Sequence, residues 1–390
     1  MTKPGRILIL WNQVEEDVYE RLRSDGPRPL DWNPTRLADE MSTAADELEL
    51  IVTSLRDRGH TVAIVNIDDS LTRLLQAIDT HKPEAIFNLV EFFGDDPAHE
   101  MHVAAIYELL GIAYTGSRPE VLSLCQRKHR TKAILAAAGL PTPRYLVVAG
   151  EVGARVPDDH GLRFPLICKP AMEDASGGID AGSVVHDRAA LDARVSKLVD
   201  EYLTPVIVEE YIEGREIHCA ILGNDPPVAL PLFEMAFHDA PSASMPHIIT
   251  YKAKWDPNSR DFYAMDGVCP APELEPEVVA YIEDVAIRAF HAVGCRDYAR
   301  VDMRLDPVTG EPYILEVNPN PDLSDSCAFT QCATVSGRTY AELVDEIAGF
   351  ALTRARAVKP GRAAGPGDQL LREYLARAPR AKRSTGSSRS

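Results

Sequence analysis

The sequence predicts an α/β protein of several units, with a doubly wound half-domain at its start and α+β units behind it. Through about residue 116, apolar runs at 6–11, 61–67 and 85–90 alternate with helical periods at 43–58, 70–80 and 98–110. Such alternation implies parallel strands joined by crossover helices. Far downstream, apolar runs at 299–305 and 312–317 flank a turn at Asp306, Pro307 and Gly310, which reads as a hairpin. A chain of 390 residues also exceeds what one core organises, and suits two or three sub-domains.

Taken in order, the units are expected at 1–117, 118–213 and 214–356, with a tail at 357–390. Gly59 and Gly111 in the first, and Gly139 in the second, each follow a helical run, as helix C-caps do. The segment ILILWNQVEED after the first strand has no G-x-G-x-x-G, which disfavours an ordinary dinucleotide fold. The second unit opens with a basic helix, CQRKHRTKAILAAAGLP, whose period places Lys128 and Lys132 on one face. A strand at 165–170 then enters the small, glycine-rich loop 171–178. Unencumbered N–H groups beside Lys169 suit a polyphosphate, although a Gly-Gly loop alone is a weak signal.

A strand at 206–212 runs into EEYIEGREIHCAILGN, and the third unit contributes strands at 216–222 and 228–233. The stretch 238–271, rich in Pro, Ser and Asp, reads as a long irregular segment, either a functional lid or disorder. Helices at 275–293 and 339–356 frame the hairpin.

Composition bounds the function. With 45% apolar and 26% charged residues the chain is globular, and no apolar run approaches membrane-spanning length. Net charge is −18, yet from Arg354 onward ten Lys and Arg face only Asp368 and Glu373, so a basic, disordered tail follows a still more acidic body. Such a body repels nucleic acid and membrane surfaces. The opening MTKPGRILILWNQVEED lacks the pattern of a secretory signal, and a cytoplasmic location is expected. Seven cysteines without a C-x-x-C pair read as buried free thiols.

The hairpin carries the chemistry. Alternate residues of a strand share a face, so Arg300 and Asp302 point one way, and Glu316 and Asn318 can join them from the second strand. Asp302, Glu316 and Asn318 offer hard oxygen ligands suited to one or two magnesium ions (or manganese) held jointly with phosphate oxygens. By spacing alone, solvated residues on an open hairpin face explain the pattern equally well.

The segment YARVDMRLDPVTGEPYILEVNPNPDLS, together with FNLVEFFGDDPAHEMHVAAIYELLGIAYTGS and PLICKPAMEDASGGI, resembles ATP-grasp enzymes, and among them the D-alanine–D-alanine ligase group. The resemblance spans about residues 6–350 and implies the ATP-grasp fold, with a Rossmann-like unit before two α+β sub-domains that enclose ATP. It implies that Asp302, Glu316 and Asn318 bind magnesium and that Arg300 stabilises an oxyanion. Lys128, Lys169, Ser176 and Gly178 would face the nucleotide phosphates, Glu209, Glu210, Tyr211 and Ile212 the adenine, and Glu216 the ribose. Lys254, within TYKAKW, would add charge near the γ-phosphate. The implied reaction joins a small-molecule carboxylate to an amine, an amino acid or peptide, through an acyl phosphate. The resemblance leaves room for a homodimer.

Departures from the group's pattern fall on the amino-acid side. Members that join two D-alanines hold the first amino group through a glutamate in a Gly-rich loop, a flap serine and a tyrosine after the lid lysine. Those places hold WNQVEED, Ala175 and Trp255. Beyond Asn318, Pro321 is followed by Asp322, and the position of an acceptor-binding serine is Cys327. The expectation is a ligase for a pair other than two D-alanines. A true D-alanine–D-alanine ligase using Glu15 or Glu16 is the alternative, ahead of a non-catalytic ATP-binding regulator.

Overall fold

The computed structural model describes residues 3–15, 18–26, 28–39, 41–173, 176–238 and 246–357. Ala175, Glu16 and all but the first residue of the tail 357–390 lie outside them.

The first unit begins with β1 (Arg6–Trp11), α1 (Val18–Asp25), β2 (Pro29–Leu30), β3 (Asn33–Leu37) and α2 (Ala44–Asp57). It continues through β4 (Thr61–Asn66), α3 (Leu71–His81), β5 (Ala85–Leu89), α4 (Glu100–Leu110) and β6 (Ala113–Tyr114). The parallel order β4-β1-β5-β6 is the doubly wound half-domain anticipated from the alternation. Helix α2 starts where Thr43 accepts from the Asp46 N–H and Asp46 caps Thr43 in return. The hairpin β2–β3 and α1 were not anticipated. They fill the connection after β1 and reach the lid: Trp32 Nε1 donates to the Asn258 carbonyl at 2.9 Å, and Arg36 stacks on Tyr263.

The expected basic helix is two helices, α5 (Pro119–Gln126) and α6 (Lys128–Ala137). Arg127 breaks them at φ −94°, ψ 80°, and the Lys128 N–H donates to the Ala171 carbonyl at 3.1 Å, which anchors the start of α6 to the glycine-rich loop. Both helices pack through Val121, Cys125 and Leu135 into the core of the third unit, with Leu140 just beyond α6. The second unit proper holds β7 (Tyr145–Val148), β8 (Leu166–Pro170), β9 (Val184–Val185), α7 (Arg188–Tyr202) and β10 (Val206–Glu210). Its antiparallel sheet runs β7-β10-β8-β9, and α7 buries Leu191, Val195 and Leu198 against it.

The third unit comprises β11 (Arg215–Leu222), β12 (Val228–Ala229), β13 (Phe233–Phe237), α8 (Tyr251–Trp255), β14 (Met265–Val268) and α9 (Pro276–Val293). Then come β15 (Tyr298–Leu305), β16 (Pro312–Asn318), α10 (Ala328–Val335) and α11 (Tyr340–Ala357). The main path of the sheet is β14-β13-β11-β15-β16. Two expectations change here. The strand at 228–233 is two pieces, because Pro231 lies between β12 and β13 and lacks the N–H a ladder needs. The lid stretch is ordered in part: β14 pairs with β13, and α8 is capped by Thr250.

The first and third units are joined. Helix α11 packs Leu343, Ile347 and Ala351 into a core shared with Ile9, Leu55 and Phe87. Asp297, fully buried, accepts both guanidinium nitrogens of Arg354, the Gly116 N–H and the Asn224 amide.

Candidate active site

The register of β15 and β16 sets the hairpin site. Arg300 lies opposite Asn318 and Asp302 opposite Glu316, so the four side chains share one face as the alternation requires. Arg300 grips Asp302 with two hydrogen bonds of 2.7 and 2.8 Å, and the Asn318 amide donates to the same carboxylate at 2.9 Å. Glu316 lies 3.0 Å from Lys128 Nζ. Burial pushes the Glu316 carboxyl up, but Lys128 and Lys169 outweigh it and hold it well below the usual carboxylate range.

Four separated segments meet above this face. Lys128 at the start of α6, Lys169 at the end of β8, Ser176 in the glycine-rich loop and Glu316 on β16 line one pocket, with Glu173 and Ile179 beside them. The loop is held open for it. Gly178 has φ +71°, and a Cβ there would lie 2.6 Å from Pro170 Cγ, so no larger residue fits. Arg194 fixes the loop from behind, donating to the Gly178 carbonyl at 2.7 Å and to Asp180 and Ser183.

Beneath the pocket, Glu209 is fully buried between Lys169 at 3.2 Å and Lys132 at 3.5 Å. These are ion pairs without hydrogen-bond alignment, and both Glu209 oxygens lack a hydrogen-bond donor. Lys132 is wedged against Thr142 Oγ1 at 2.8 Å and the Ile314 carbonyl at 3.3 Å. Burial pulls its pKa down to about 8 despite Glu209.

The remaining residues expected at a nucleotide separate. The Glu210 and Tyr211 N–H groups already donate to the Arg144 and Pro165 carbonyls, and the Glu210 side chain holds Arg163 and Arg144. Ile212 lies in the connection to β11. Glu216 is buried against Arg304 at 2.8 Å and His218 at 3.4 Å, where Arg304 and His218 outweigh burial and keep its pKa low. Lys254 is exposed and lies over the Trp255 ring at 5.2 Å, outside the pocket that Lys128 and Lys169 line. Its helix nonetheless touches the glycine-rich loop, since the Tyr251 N–H donates to the Ile179 carbonyl at 3.1 Å.

His218 was missed. It sits opposite Asp302 in the β11–β15 register, 4.0 Å from that carboxylate, with its Nδ1 buried and lacking a hydrogen bond. The alternation of β11 puts it on the Glu216 face, a signal the sequence does carry. Past Asn318, Asp322 is taken up by the N–H and hydroxyl of Ser324, both at 2.8 Å, and the Cys327 thiol lies 2.8 Å from the Asp322 carbonyl.

An α/β half-domain and two antiparallel sheets, with lysines and a glycine-rich loop facing a carboxylate hairpin, define the class: a protein of ATP-grasp architecture. The family model described as D-ala D-ala ligase C-terminus matches residues 134–348. The D-alanine–D-alanine ligase of Desulforudis audaxviator is 32% identical over 305 residues, covering 78% of this chain and 92% of its own. The uncharacterized protein y4sG of Sinorhizobium fredii is 33% identical over 350 residues, covering 88% and 95%. The chain belongs to the D-alanine–D-alanine ligase family. The crystal structure of the D-alanine–D-alanine ligase from Bacillus anthracis complexed with ATP superposes with a TM-score of 0.66 at 20% identity, over 91% of this chain and all of that one, which shows the shared fold.

Proposed function

We propose that this protein is an ATP-dependent ligase that joins a carboxylate to an amine other than as two D-alanines. The observation that carries the reading is the meeting of Lys128, Lys169, Ser176 and Glu316 in one pocket under a loop that admits only glycine at 178. Three cationic or N–H-rich elements around a small polar cavity suit a polyphosphate.

Asp302, Glu316 and Asn318 fit magnesium or manganese. They are hard oxygen donors on one face, and Glu316 stays ionised in its setting. One or two ions bound there would neutralise charge on the transferring phosphoryl group. The chain's own residues do the rest. The substrate carboxylate attacks the γ-phosphate of ATP, giving an acyl phosphate and ADP, and the amine attacks that carbonyl and expels phosphate. Lys128 and Lys169 hold the phosphates in line, with Lys254 joining as the lid closes. Arg300, held in place by Asp302, stabilises the tetrahedral oxyanion. The carboxylate of Asp322 near this loop disfavours an anionic acceptor.

The test is ADP release screened against amino acids and small peptides, with mass spectrometry of the product. Metal-dependent ADP release with formation of an amide is expected. Efficient formation of D-alanyl-D-alanine would overturn the substrate reading, and absence of nucleotide binding would overturn the class of reaction.

A further inference from the structure

Among the seven free cysteines, Cys269 and Cys332 face each other with their sulfurs 4.0 Å apart, although they are 63 residues apart in the chain. Cys269 directly follows β14, the strand by which the lid returns to the sheet, and its sulfur lies 3.8 Å from the Pro231 carbonyl. Cys332 lies in α10, the helix whose first turn anchors the loop after Asn318 through Thr330, which donates to the Ser324, Asp325 and Cys327 carbonyls. The two thiols differ in access: Cys269 is half-buried, while Cys332 is 1% exposed.

We propose that Cys269 and Cys332 form a reversible disulfide when the protein meets a hydroperoxide, tying the return strand of the lid to the helix that holds the loop beyond Asn318. The accessible sulfur reacts first. Cys269, as thiolate, attacks the peroxide oxygen; the O–O bond breaks, and Cys269 becomes a sulfenic acid while the other oxygen leaves as hydroxide or alkoxide. The Cys332 sulfur then attacks the Cys269 sulfur, the S–O bond breaks, and the sulfenic hydroxyl departs as water with the Cys332 thiol proton. Two electrons pass from the thiol pair to the peroxide, and a dithiol reductant returns them.

The local chemistry supports this order. The hydrogen bond between the two sulfurs lowers the Cys269 pKa and, with burial, raises that of Cys332, which suits a nucleophile and a resolving partner. Side-chain rotation has to close the sulfurs by about 2 Å to reach bonding distance. The neighbouring thiols are placed differently. Cys327 lies against the Asp322 carbonyl and Thr330, and burial together with Asp322 pushes its pKa up to about 11. Cys219 is fully buried on β11.

The test treats the full chain with hydrogen peroxide, blocks remaining thiols with N-ethylmaleimide under denaturing conditions and maps peptides without reduction. The expected result is a Cys269–Cys332 cross-linked peptide, a fall in free thiols from seven to five, and recovery of all seven with dithiothreitol. Cys332→Ala should stop at a Cys269 sulfenic acid that dimedone traps, and Cys269→Ala should leave Cys332 alkylatable. Melting curves of both variants confirm that they are folded. Cys332 still reduced after wild-type Cys269 has oxidised to sulfinic acid, or a cross-link through Cys327 or Cys219 instead, would overturn the proposal. The readout is independent of ligase activity.

Discussion

Two lysines share one buried carboxylate, and replacing them should do different things. Lys169→Ala removes the ammonium 3.2 Å from Glu209 at a place that opens on the pocket, and leaves Lys132 at 3.5 Å as counter-charge. The fold should survive with its Tm nearly unchanged, while turnover loses one contact to the charge that develops on phosphate. Such a contact is worth about 3 kcal/mol, or on the order of a hundredfold in kcat/KM. Lys132→Ala removes a side chain that is 1% exposed and bonded to Thr142 and the Ile314 carbonyl. Emptying a buried side chain of this size leaves a cavity that costs about 2–5 kcal/mol, which lowers Tm by roughly 4–8 °C. The assay pairs ADP release, coupled to NADH oxidation, with scanning fluorimetry of each variant. A folded Lys169→Ala protein with near-normal turnover, or a Lys132→Ala protein as stable as its parent, would refute this division of labour.

Other outcomes follow from the same geometry. Glu316→Ala should abolish amine-dependent ATP turnover, and isothermal titration should show weaker metal-dependent nucleotide binding; unchanged binding would remove Glu316 from the metal site. D-alanine as sole substrate should give little ADP release, because Trp255 offers no phenolic hydroxyl and WNQVEED offers no Gly-rich approach, each missing hydrogen bond costing about 1–3 kcal/mol; rapid D-alanyl-D-alanine synthesis, lost in Glu15→Gln, would reverse that reading. The stability of the protein should depend on pH through Lys132, whose folded value near 8 lies below its ordinary 10.5. Below about pH 8 both states hold the proton and the cost of burying the charge is present in full; between about 8 and 10.5 the unfolded chain holds more protons, so stability rises with pH. Lys132→Met should lack that rise in a pH series of denaturant melts. Deleting residues 358–390 should leave turnover intact, on the composition of that segment, and a large loss on truncation would contradict it.

How much of this was legible depends on what kind of signal each part leaves. The β15–β16 hairpin and the parallel half-domain follow from period and turn residues, which act locally, and their observed bounds differ from expectation by a residue or two. The pocket proposed for phosphate was legible as residue types, and its convergence needed the fold, since Lys128, Lys169 and Glu316 are brought together by long-range pairing. Glu209 and Glu210 look alike in sequence, yet one faces two buried lysines and the other two arginines at the surface, because neighbours on a strand point to opposite faces. The hairpin β2–β3 escaped because its short strands carry Pro29 and Pro34 and little apolar alternation, so its order rests on Trp32 and Arg36 meeting the lid. The break at Arg127 left no helix-stopping residue to read; it is imposed by the bond between Lys128 and Ala171.

Asp297 ties together parts of the molecule that lie far apart in the sequence. By fastening Gly116, Asn224 and Arg354 to one buried carboxylate, it welds the half-domain, the hairpin sheet and the last helix into a single chassis. The sheet of β7, β8, β9 and β10 stands outside this tie and meets it through the Lys128–Ala171 hydrogen bond and the buried Lys132–Glu209 pair. Lys169 and the glycine-rich loop therefore stand on one side of a junction, with Lys128 and Glu316 on the other, and the pocket among them keeps its shape only while both of those links hold.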